Sequence, residues 1–249
     1  MKRVKLVVAY DGTNYCGWQV QPNGITIEGV LNRELSKLLK EDIVVIGASR
    51  TDSGVHSYGN VAVFDTNARM PAEKISYALN QRLPDDIVVQ NSSEIPLDWH
   101  PRHCNSRKTY EYRILNREFP MPQRRLDTWF VYRKLNIPAM CEAAEQFEGT
   151  HDFKSFCSVN TAVEDTTRTI YSCELKQDGE LLTIRITGSG FLYNMVRAMA
   201  GTIVYAAEGK LVPEDIPAIL ASGNRTLAGP TVPPGGLYMT KLWYEEDVL

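Results

Sequence analysis

The order in which strand-like and helix-like stretches follow one another most restricts the folds open to this chain. Residues 3–9 carry β-branched and apolar residues, as expected of a strand. Thr26 is a good helix N-cap, and apolar residues three and four apart then continue to about Lys40, so a helix is predicted there. The next predicted elements are two strands, a helix stopped by a proline, and a strand, at 43–47, 60–65, 72–82 and 86–90. The first part of the chain is therefore predicted to run βαββαβ.

The later part of the chain mixes strands and helices in a comparable way. The turn 177–180 contains Asp-Gly and lies between two alternating stretches, which is a strong signal for a hairpin. A long helix is predicted over 191–207. The remaining predicted elements are strands at 108–115, 129–134 and 236–244 and helices at 137–147 and 213–221. We therefore predict two halves, residues 1–105 and residues 106–249.

The composition excludes several classes of protein. Lys and Arg number 27 against 30 Asp and Glu, a formal net charge of −3, so any nucleic-acid site must be a local basic patch. The 5 cysteines are scattered without a C-x-x-C pair, which predicts reduced thiols rather than a disulfide framework or a zinc ribbon. No uncharged apolar run reaches the roughly 18–20 residues that cross a bilayer, and the opening residues lack signal-peptide features. A cytoplasmic protein without a membrane span is therefore expected.

The segment 49–56, directly after a predicted strand, has the highest density of chemically active side chains. The charge of Arg50 favours the ionised form of Asp52, and Gly54 lets the backbone approach a ligand closely. His56 adds an imidazole at the end of the same segment. A catalytic carboxylate site and an ordinary surface Arg–Asp pair in a turn both account for these residues.

A second candidate segment is 188–197, where a Gly-Ser-Gly run precedes the long predicted helix. Helical spacing places Arg197 on one face with Asn194 and Gly201, away from an apolar stripe, so Arg197 is not predicted to be a core residue. Such an arginine is either a solvated surface residue or a clamp for a carboxylate or phosphate. The run lacks the third glycine of a dinucleotide-binding fingerprint, so a nicotinamide or flavin site is not predicted.

A third candidate segment is the strand that begins near Arg107. Its alternation points Tyr110 and Tyr112 to the same side of the sheet. Paired tyrosines on a strand usually serve packing, but a ring beside Arg107 and Lys108 also suits stacking on an unpaired base next to phosphate-binding cations. Both interpretations remain open from the residues alone.

Several common chemistries lack their sequence signatures. His100, His103 and Cys104 lie close together, but their spacing matches no known metal site. A phosphate loop of the G-x-x-x-x-G-K-[ST] type and a G-x-S-x-G nucleophile elbow are also absent from the sequence. Metal binding, ATP use and acyl transfer are therefore not predicted.

Taken together, the motifs resemble those of the tRNA pseudouridine synthase A (TruA) family, over nearly the whole chain. The resembling segments are AYDGTNYCGWQVQPNGITIEGVLN, SRTDSGVHS with the following NVAVF, RKTYEYRI, HDFKSF, GSGFLYNMVRAMAGTIV and GPTVPPGGLYMTKLWY. The family loop more often reads G-R-T-D-A-G-V-H-A, whereas Ser49, Ser53 and Ser57 replace small residues here. These departures bear on substrate fit rather than on the reaction.

The resemblance implies a fold and an activity. The fold would be α+β, with two similar halves, each a mainly antiparallel sheet with helices on one face, and with the active-site cleft between them. The activity would be isomerisation of uridine to pseudouridine at positions 38, 39 and/or 40 of the tRNA anticodon stem-loop. The enzyme would be a homodimer that uses no metal and no organic cofactor.

The resemblance also assigns roles by motif position. Asp52 matches the catalytic aspartate, Arg197 the arginine that pairs with it, and Tyr110 the active-site tyrosine, which would stack on the uracil. The implied substrate-binding residues are Arg50, Tyr110, His56, Arg107 and Lys108. Because the net charge is acidic, further cations must be concentrated where tRNA binds, for example Arg102, Arg124, Arg125 and Arg168.

Three other functions compete with this interpretation. A related synthase that modifies another RNA site would share every chemical residue, and an inactive RNA-binding paralogue would bind tRNA without forming pseudouridine. A carboxylate-dependent glycoside hydrolase would need a second acid near Asp52, and the motif supplies none.

Overall fold

The computed structural model describes residues 1–158 and 163–244, and its contacts divide the chain into two compact units. The first unit comprises Met1–Ser106 together with the chain from Met239 onward. The second unit comprises Arg107–Tyr238. Within the described part of the chain, no helix is both long and apolar enough to cross a membrane.

The first unit is a sheet with two helices packed against it. Its elements are β1 Lys2–Tyr10, α1 Ile27–Leu39, β2 Ile46–Gly47, β3 His56–Thr66, α2 Ala72–Asn80, β4 Ile87–Ile95 and the end of β10 Leu237–Tyr244. The strand order is β4-β1-β3-β10, with β2 also on β3, and the β1–β3, β1–β4 and β2–β3 pairs are antiparallel. The predicted order βαββαβ is thereby confirmed.

Helix α1 forms where the sequence predicts it. Thr26 Oγ1 accepts a hydrogen bond from the Gly29 amide at 3.2 Å, and Lys40 ends the helix with a left-handed φ of 57°. Leu31 and Leu35 are fully buried on the apolar face, which packs in the core of the first unit with the inward side chains of β1.

The predicted strand at 43–47 is wrong for its first three residues. The amide of Ile43 donates to Ser36 Oγ at 2.9 Å, and the amide of Val45 donates to Asn32 Oδ1 at 2.8 Å. These amides are satisfied by side chains of α1, so they need no neighbouring strand. Pairing is confined to β2.

The strands of the second unit pair in a mainly antiparallel way. Its elements are β5 Ser106–Asn116, β6 Trp129–Val131, α3 Ile137–Glu145, β7 Gly149–Asp152, β8 Thr167–Asp178, β9 Leu181–Gly188, α4 Met195–Ala207 and α5 Ile216–Ser222. The strand order is β5-β9-β8-β7, all antiparallel, and β6 is parallel to β5. The predicted β8–β9 hairpin is confirmed, as is the α+β class with mainly antiparallel sheets.

Several predicted boundaries differ from those of the structure. The helices predicted over 72–82 and 137–147 end earlier, at Asn80 and Glu145. The predicted strand at 129–134 ends at Val131, and the predicted helix at 213–221 begins as a 3₁₀ turn before α5. Strand β7 is not predicted from the sequence.

Helix α4 begins at Met195, four residues later than predicted. Asn194 adopts a left-handed φ of 62°, which asparagine tolerates well, and this conformation prevents the helix from extending toward Phe191. Gly201 does not lie on a solvent-exposed face of α4, because a Cβ there would collide with the backbone carbonyl oxygen of Pro230. The chain 229–232 covers this side of the helix.

Candidate active site

The loop between β2 and β3 is held by a buried asparagine. Asn60, on β3, is 0% exposed. Its Oδ1 accepts from the Ser49 amide at 3.3 Å, and its Nδ2 donates to the Ser49 carbonyl at 2.9 Å. This two-point contact fixes the backbone immediately before Arg50.

A tyrosine hydroxyl holds the next part of the loop. Tyr10 is 5% exposed, and its hydroxyl lies 2.8 Å from Thr51 Oγ1. The Thr51 carbonyl accepts from the Trp18 amide at 3.1 Å. Burial raises the pKa of the Tyr10 hydroxyl well above its usual value, although hydrogen bonds from Thr51, Asn60 and Ser57 oppose the shift. Tyr10 therefore stays protonated and can donate.

Two glycines let the segment before α1 lie directly on this loop. Gly17 has a φ of +83°, and a Cβ there would be 2.6 Å from the Thr51 carbonyl oxygen and 3.2 Å from Asp52 C. A Cβ on Gly12 would collide with the Val55 carbonyl oxygen. The close approach of these two backbones needs glycine at both positions.

The two charged side chains of the loop are less buried than the residue between them. Arg50 is exposed and Asp52 is half-buried, whereas Thr51 between them is buried. The Ser53 hydroxyl donates to the Tyr15 carbonyl at 3.1 Å, and the Val55 amide donates to the Asp52 carbonyl at 3.2 Å. The loop thus presents a carboxylate on a backbone that is fixed on both sides.

Two of the three serines that depart from the family loop bond within the protein. Ser53 donates to the Tyr15 carbonyl, as described above. Ser57 Oγ accepts from the Gly59 amide at 3.1 Å and lies 3.4 Å from the Met239 carbonyl oxygen. Ser49 Oγ is buried and has no hydrogen-bond partner among residues 1–158 and 163–244.

His56 is a buried residue of this site rather than an exposed one. It is 3% exposed, and its Nδ1 lies 3.2 Å from the Gly12 amide and 3.1 Å from Asp11 Oδ1. Through these Nδ1 contacts, His56 holds the turn after β1 against the loop.

Arg197 is fixed near the start of α4. Its Nε donates to the Val232 carbonyl at 2.7 Å, and its Nη1 donates to Asn194 Oδ1 at 2.8 Å. Asn194 Nδ2 in turn donates to Ser158 Oγ at 2.8 Å. A half-buried guanidinium held on two sides suits a clamp better than a solvated surface arginine.

Tyr110 and Tyr112 both lie on the buried side of β5, as predicted. Tyr110 is 7% exposed and meets Phe191 edge-to-face, with ring centroids 5.0 Å apart. The Tyr112 hydroxyl donates to the Pro233 carbonyl at 2.8 Å. Burial raises the pKa of this hydroxyl, and the positive charge of Arg197 opposes the shift.

The other cationic residues predicted to bind tRNA differ in the contacts that they make within the protein. The Arg107 guanidinium lies over the Tyr171 ring, 4.6 Å from its centroid, and Lys108 is half-buried on β5. Arg124 pairs with Asp127 at 2.8 Å, and Arg168 Nη1 donates to the Asp165 and Thr167 carbonyls. Arg125 Nη1 donates to the Pro122 carbonyl at 3.2 Å.

The structure therefore places the predicted site residues in both units. The first unit holds Arg50, Asp52 and His56, and the second holds Arg107, Lys108, Tyr110 and Arg197. Sequence reasoning placed Asn194 beside Arg197 but missed the other residues that fix the site, namely Tyr10, Gly12, Gly17, Asn60 and Val232. Among the described residues, no group of three or more His, Cys, Asp and Glu side chains is arranged to hold a metal ion.

Comparison with known proteins identifies the family. The family model described as tRNA pseudouridine synthase matches residues 6–103 and 143–245. Proteins named tRNA pseudouridine synthase A from a Thermoanaerobacter species and from Ruminiclostridium cellulolyticum are each 46% identical to this chain, over 98% of it and 100% of their own length. One of the same name from Geobacillus kaustophilus is 44% identical over 100% of this chain and 96% of its own. The chain belongs to the tRNA pseudouridine synthase family.

Proposed function

We propose that this isomerase converts uridine to pseudouridine at positions 38, 39 and/or 40 of the tRNA anticodon stem-loop, with Asp52 as the catalytic carboxylate. The observation that carries the proposal is the loop 49–55, whose backbone is fixed by Asn60, Tyr10 and two glycine contacts while Asp52 stays accessible. The tRNA substrate is supported by the full-length similarity to proteins named tRNA pseudouridine synthase A, and the choice of positions rests on the resemblance of the motifs.

The reaction explains why a fixed carboxylate is needed. The bond between uracil N1 and ribose C1′ must break, the uracil must turn, and C5 must then bond to C1′ before its proton is lost. A carboxylate near the sugar can stabilise positive charge at C1′, attack C1′ as a nucleophile, or remove a sugar proton. Each role needs Asp52 ionised and correctly placed.

We assign Arg197 and Tyr110 to the same reaction on the basis of their motif positions. A guanidinium paired with Asp52 would keep the carboxylate ionised and oriented. The contacts of Arg197 with Asn194 and Val232 support this role, because they limit the positions that the guanidinium can adopt. Tyr110 would stack on the uracil and assist removal of the C5 proton.

The substrate must present its target base outside the helical stack. Flipping costs a few kcal/mol, and less in a loop than in a duplex. We propose that Arg50, exposed two residues before Asp52, enters the vacated space, and that Arg107 and Lys108 contact phosphates. His56 would contribute to substrate binding through Asp11 and Gly12, which it contacts directly.

We also propose how the enzyme is organised. Residues 1–105 would carry the catalytic loop, and residues 106–249 would supply the tyrosine and the clamp arginine. The protein would act in the cytoplasm as a homodimer, without metal or organic cofactor. Light scattering tests the oligomer, and a monomer mass at assay concentration would contradict it.

The decisive experiment maps pseudouridine on an unmodified tRNA transcript incubated with the purified protein alone. We expect product at uridines 38, 39 and/or 40, and none when these uridines are replaced by cytidine. Product elsewhere would favour a related synthase with another RNA site. Binding without product at any position would favour an inactive RNA-binding protein.

Tyr10→Phe is expected to lower kcat while leaving the KM for tRNA nearly unchanged. The substitution removes only the hydroxyl that holds Thr51, so the loop keeps its charges but loses one of its fixed points. The orphaned buried hydroxyl of Thr51 should also cost about 1–3 kcal/mol of unfolding free energy. Steady-state kinetics and urea denaturation measure the two effects.

Ser92→Ala is the matched control for Tyr10→Phe. Ser92 is also buried in the first unit, and its Oγ accepts from the Ser76 amide at 2.9 Å, away from the loop. We expect a comparable loss of stability with unchanged kcat. Equal kcat in both variants would show that Tyr10 is merely structural.

A further inference from the structure

The segment between β4 and β5 is tied to the first unit at several points. Arg3 Nη1 donates to the Trp99 carbonyl at 2.9 Å, and the Tyr244 hydroxyl donates to the Pro101 carbonyl at 3.0 Å. The Trp99 and Tyr244 rings meet edge-to-face, with centroids 4.8 Å apart. Arg102 Nε donates to the Gly47 carbonyl at 2.7 Å, next to the catalytic loop. The segment is therefore pre-organised.

This segment and the adjacent loop carry a group of basic side chains, which we call the Arg102 cluster: His100, Arg102 and His103 on the segment and Arg50 on the loop. Burial and then the charge of Arg50 lower the pKa of the Arg102 guanidinium, so the two arginines act on each other. The His100 and His103 rings stack with centroids 3.9 Å apart. Burial, with the charges of His103 and Arg102, lowers the pKa of His100.

The arginines of the cluster are not neutralised by the protein. In residues 1–158 and 163–244, neither Arg50 nor Arg102 forms an ion pair, whereas nearby Arg3 pairs with Asp65 at 2.7 Å. A carboxylate whose charge does act on Arg102 is Glu28, but its Oε2 accepts from the Val20 amide at 2.8 Å.

The charges of Arg50 and Arg102 repel each other, and a bound anion would offset this repulsion. Because Nε of Arg102 is engaged by Gly47, its Nη1 and Nη2 are the groups left to bind oxygens in the planar, forked way that suits phosphate. His103, the next residue in the chain, is exposed and offers a further donor.

We propose that Arg102 and His103 bind backbone phosphates of the RNA substrate, and that Arg50 contacts the phosphate of the nucleotide whose vacated space it enters. The inference rests on the proposed function, since Arg50 is two residues from Asp52 and the phosphates bound here would be those close to the target uridine. Arg102 would then bind RNA phosphate through its Nη atoms while its Nε holds the Gly47 carbonyl beside the loop.

The test is the salt dependence of tRNA binding by the full-length protein. The dissociation constant of a labelled tRNA transcript is measured at several salt concentrations for the wild type, Arg102→Gln and Arg82→Gln. Arg82 is an exposed arginine of the same unit outside the cluster, so its variant controls for lost charge. We expect Arg102→Gln to bind about tenfold more weakly, with a log–log salt slope shallower by about 0.7–0.9.

The slope separates phosphate binding from a purely structural role. Weaker binding with an unchanged slope, or with the same change in Arg82→Gln, would overturn the proposal. Arg50→Gln provides a second variant if Arg102→Gln does not fold, and its slope should fall by a similar amount. Because the readout is binding, a wild type that bound tRNA without forming pseudouridine would refute the proposed function while leaving this test decisive.

Discussion

Asp52→Asn is expected to lower the rate of pseudouridine formation by at least about 10⁴-fold, the scale seen when a residue that acts directly on the reacting atoms is removed. The amide keeps the size and shape of the side chain but carries no negative charge. It cannot stabilise positive charge at C1′, attack C1′ or take a proton. The loop contacts of Thr51 and Asn60 involve other atoms and should persist.

Asp85→Asn is the matched control, because Asp85 is an exposed carboxylate of the same unit. It should form pseudouridine at the wild-type rate. We expect Asp52→Asn to bind tRNA within about threefold of the wild type, since loss of one carboxylate does not remove a phosphate contact. More than a tenth of wild-type activity in Asp52→Asn would contradict a catalytic role for this residue.

Features of the fold that depend on local chemistry were predictable from the sequence. Helix α1 begins after Thr26 and ends at Lys40 because a side-chain cap and an apolar face act within a few residues. The β8–β9 hairpin follows from its Asp-Gly turn and from alternation on both sides.

Features that depend on distant partners were not predictable in this way. Residues 43–45 look like a strand, but side chains of α1 take two of their amides. The segment 191–194 looks helical, but the left-handed conformation of Asn194 ends the pattern. The chain 229–232 covers Gly201, and nothing near Gly201 in the sequence indicates this contact.

The candidate site also combines local features that the sequence predicts with contacts between distant residues that it does not predict. The residues 49–56 were recognisable as reactive, but from chemistry alone a surface Arg–Asp pair explained them as well, and only the resemblance favoured catalysis. Asn60 offered a missed signal, because it directly precedes the apolar run 61–64 and a polar residue buried there needs hydrogen-bond partners. The contact of Gly17 with Thr51 links residues 34 positions apart and has no local signature.

Gly17→Ala is the second change for which we expect a large effect. The left-handed φ of +83° costs about 1–2 kcal/mol with a Cβ, and the contact 2.6 Å from the Thr51 carbonyl oxygen adds about 1–3 kcal/mol of overpacking. The backbone cannot easily shift, since the Trp18 amide donates to Thr51 and the Ile27 amide donates to the Gly17 carbonyl at 3.2 Å. The loop must therefore move instead.

A displaced loop carries Asp52 with it, so Gly17→Ala should reduce kcat as well as stability. A misplacement of about 1 Å lowers a rate by about 10²-fold, and we expect a loss on this scale at a temperature where the variant is fully folded. Urea denaturation should give an unfolding free energy lower by about 2–5 kcal/mol.

Gly179→Ala separates backbone strain from the loop contact. Gly179 also has a left-handed φ, of +58°, but a Cβ there would meet nothing within 4 Å. This variant should lose about 1 kcal/mol of stability and keep its wild-type kcat. If Gly17→Ala were as active as Gly179→Ala, packing of the segment before α1 would not set the position of Asp52, and the fixed loop would no longer support a catalytic role.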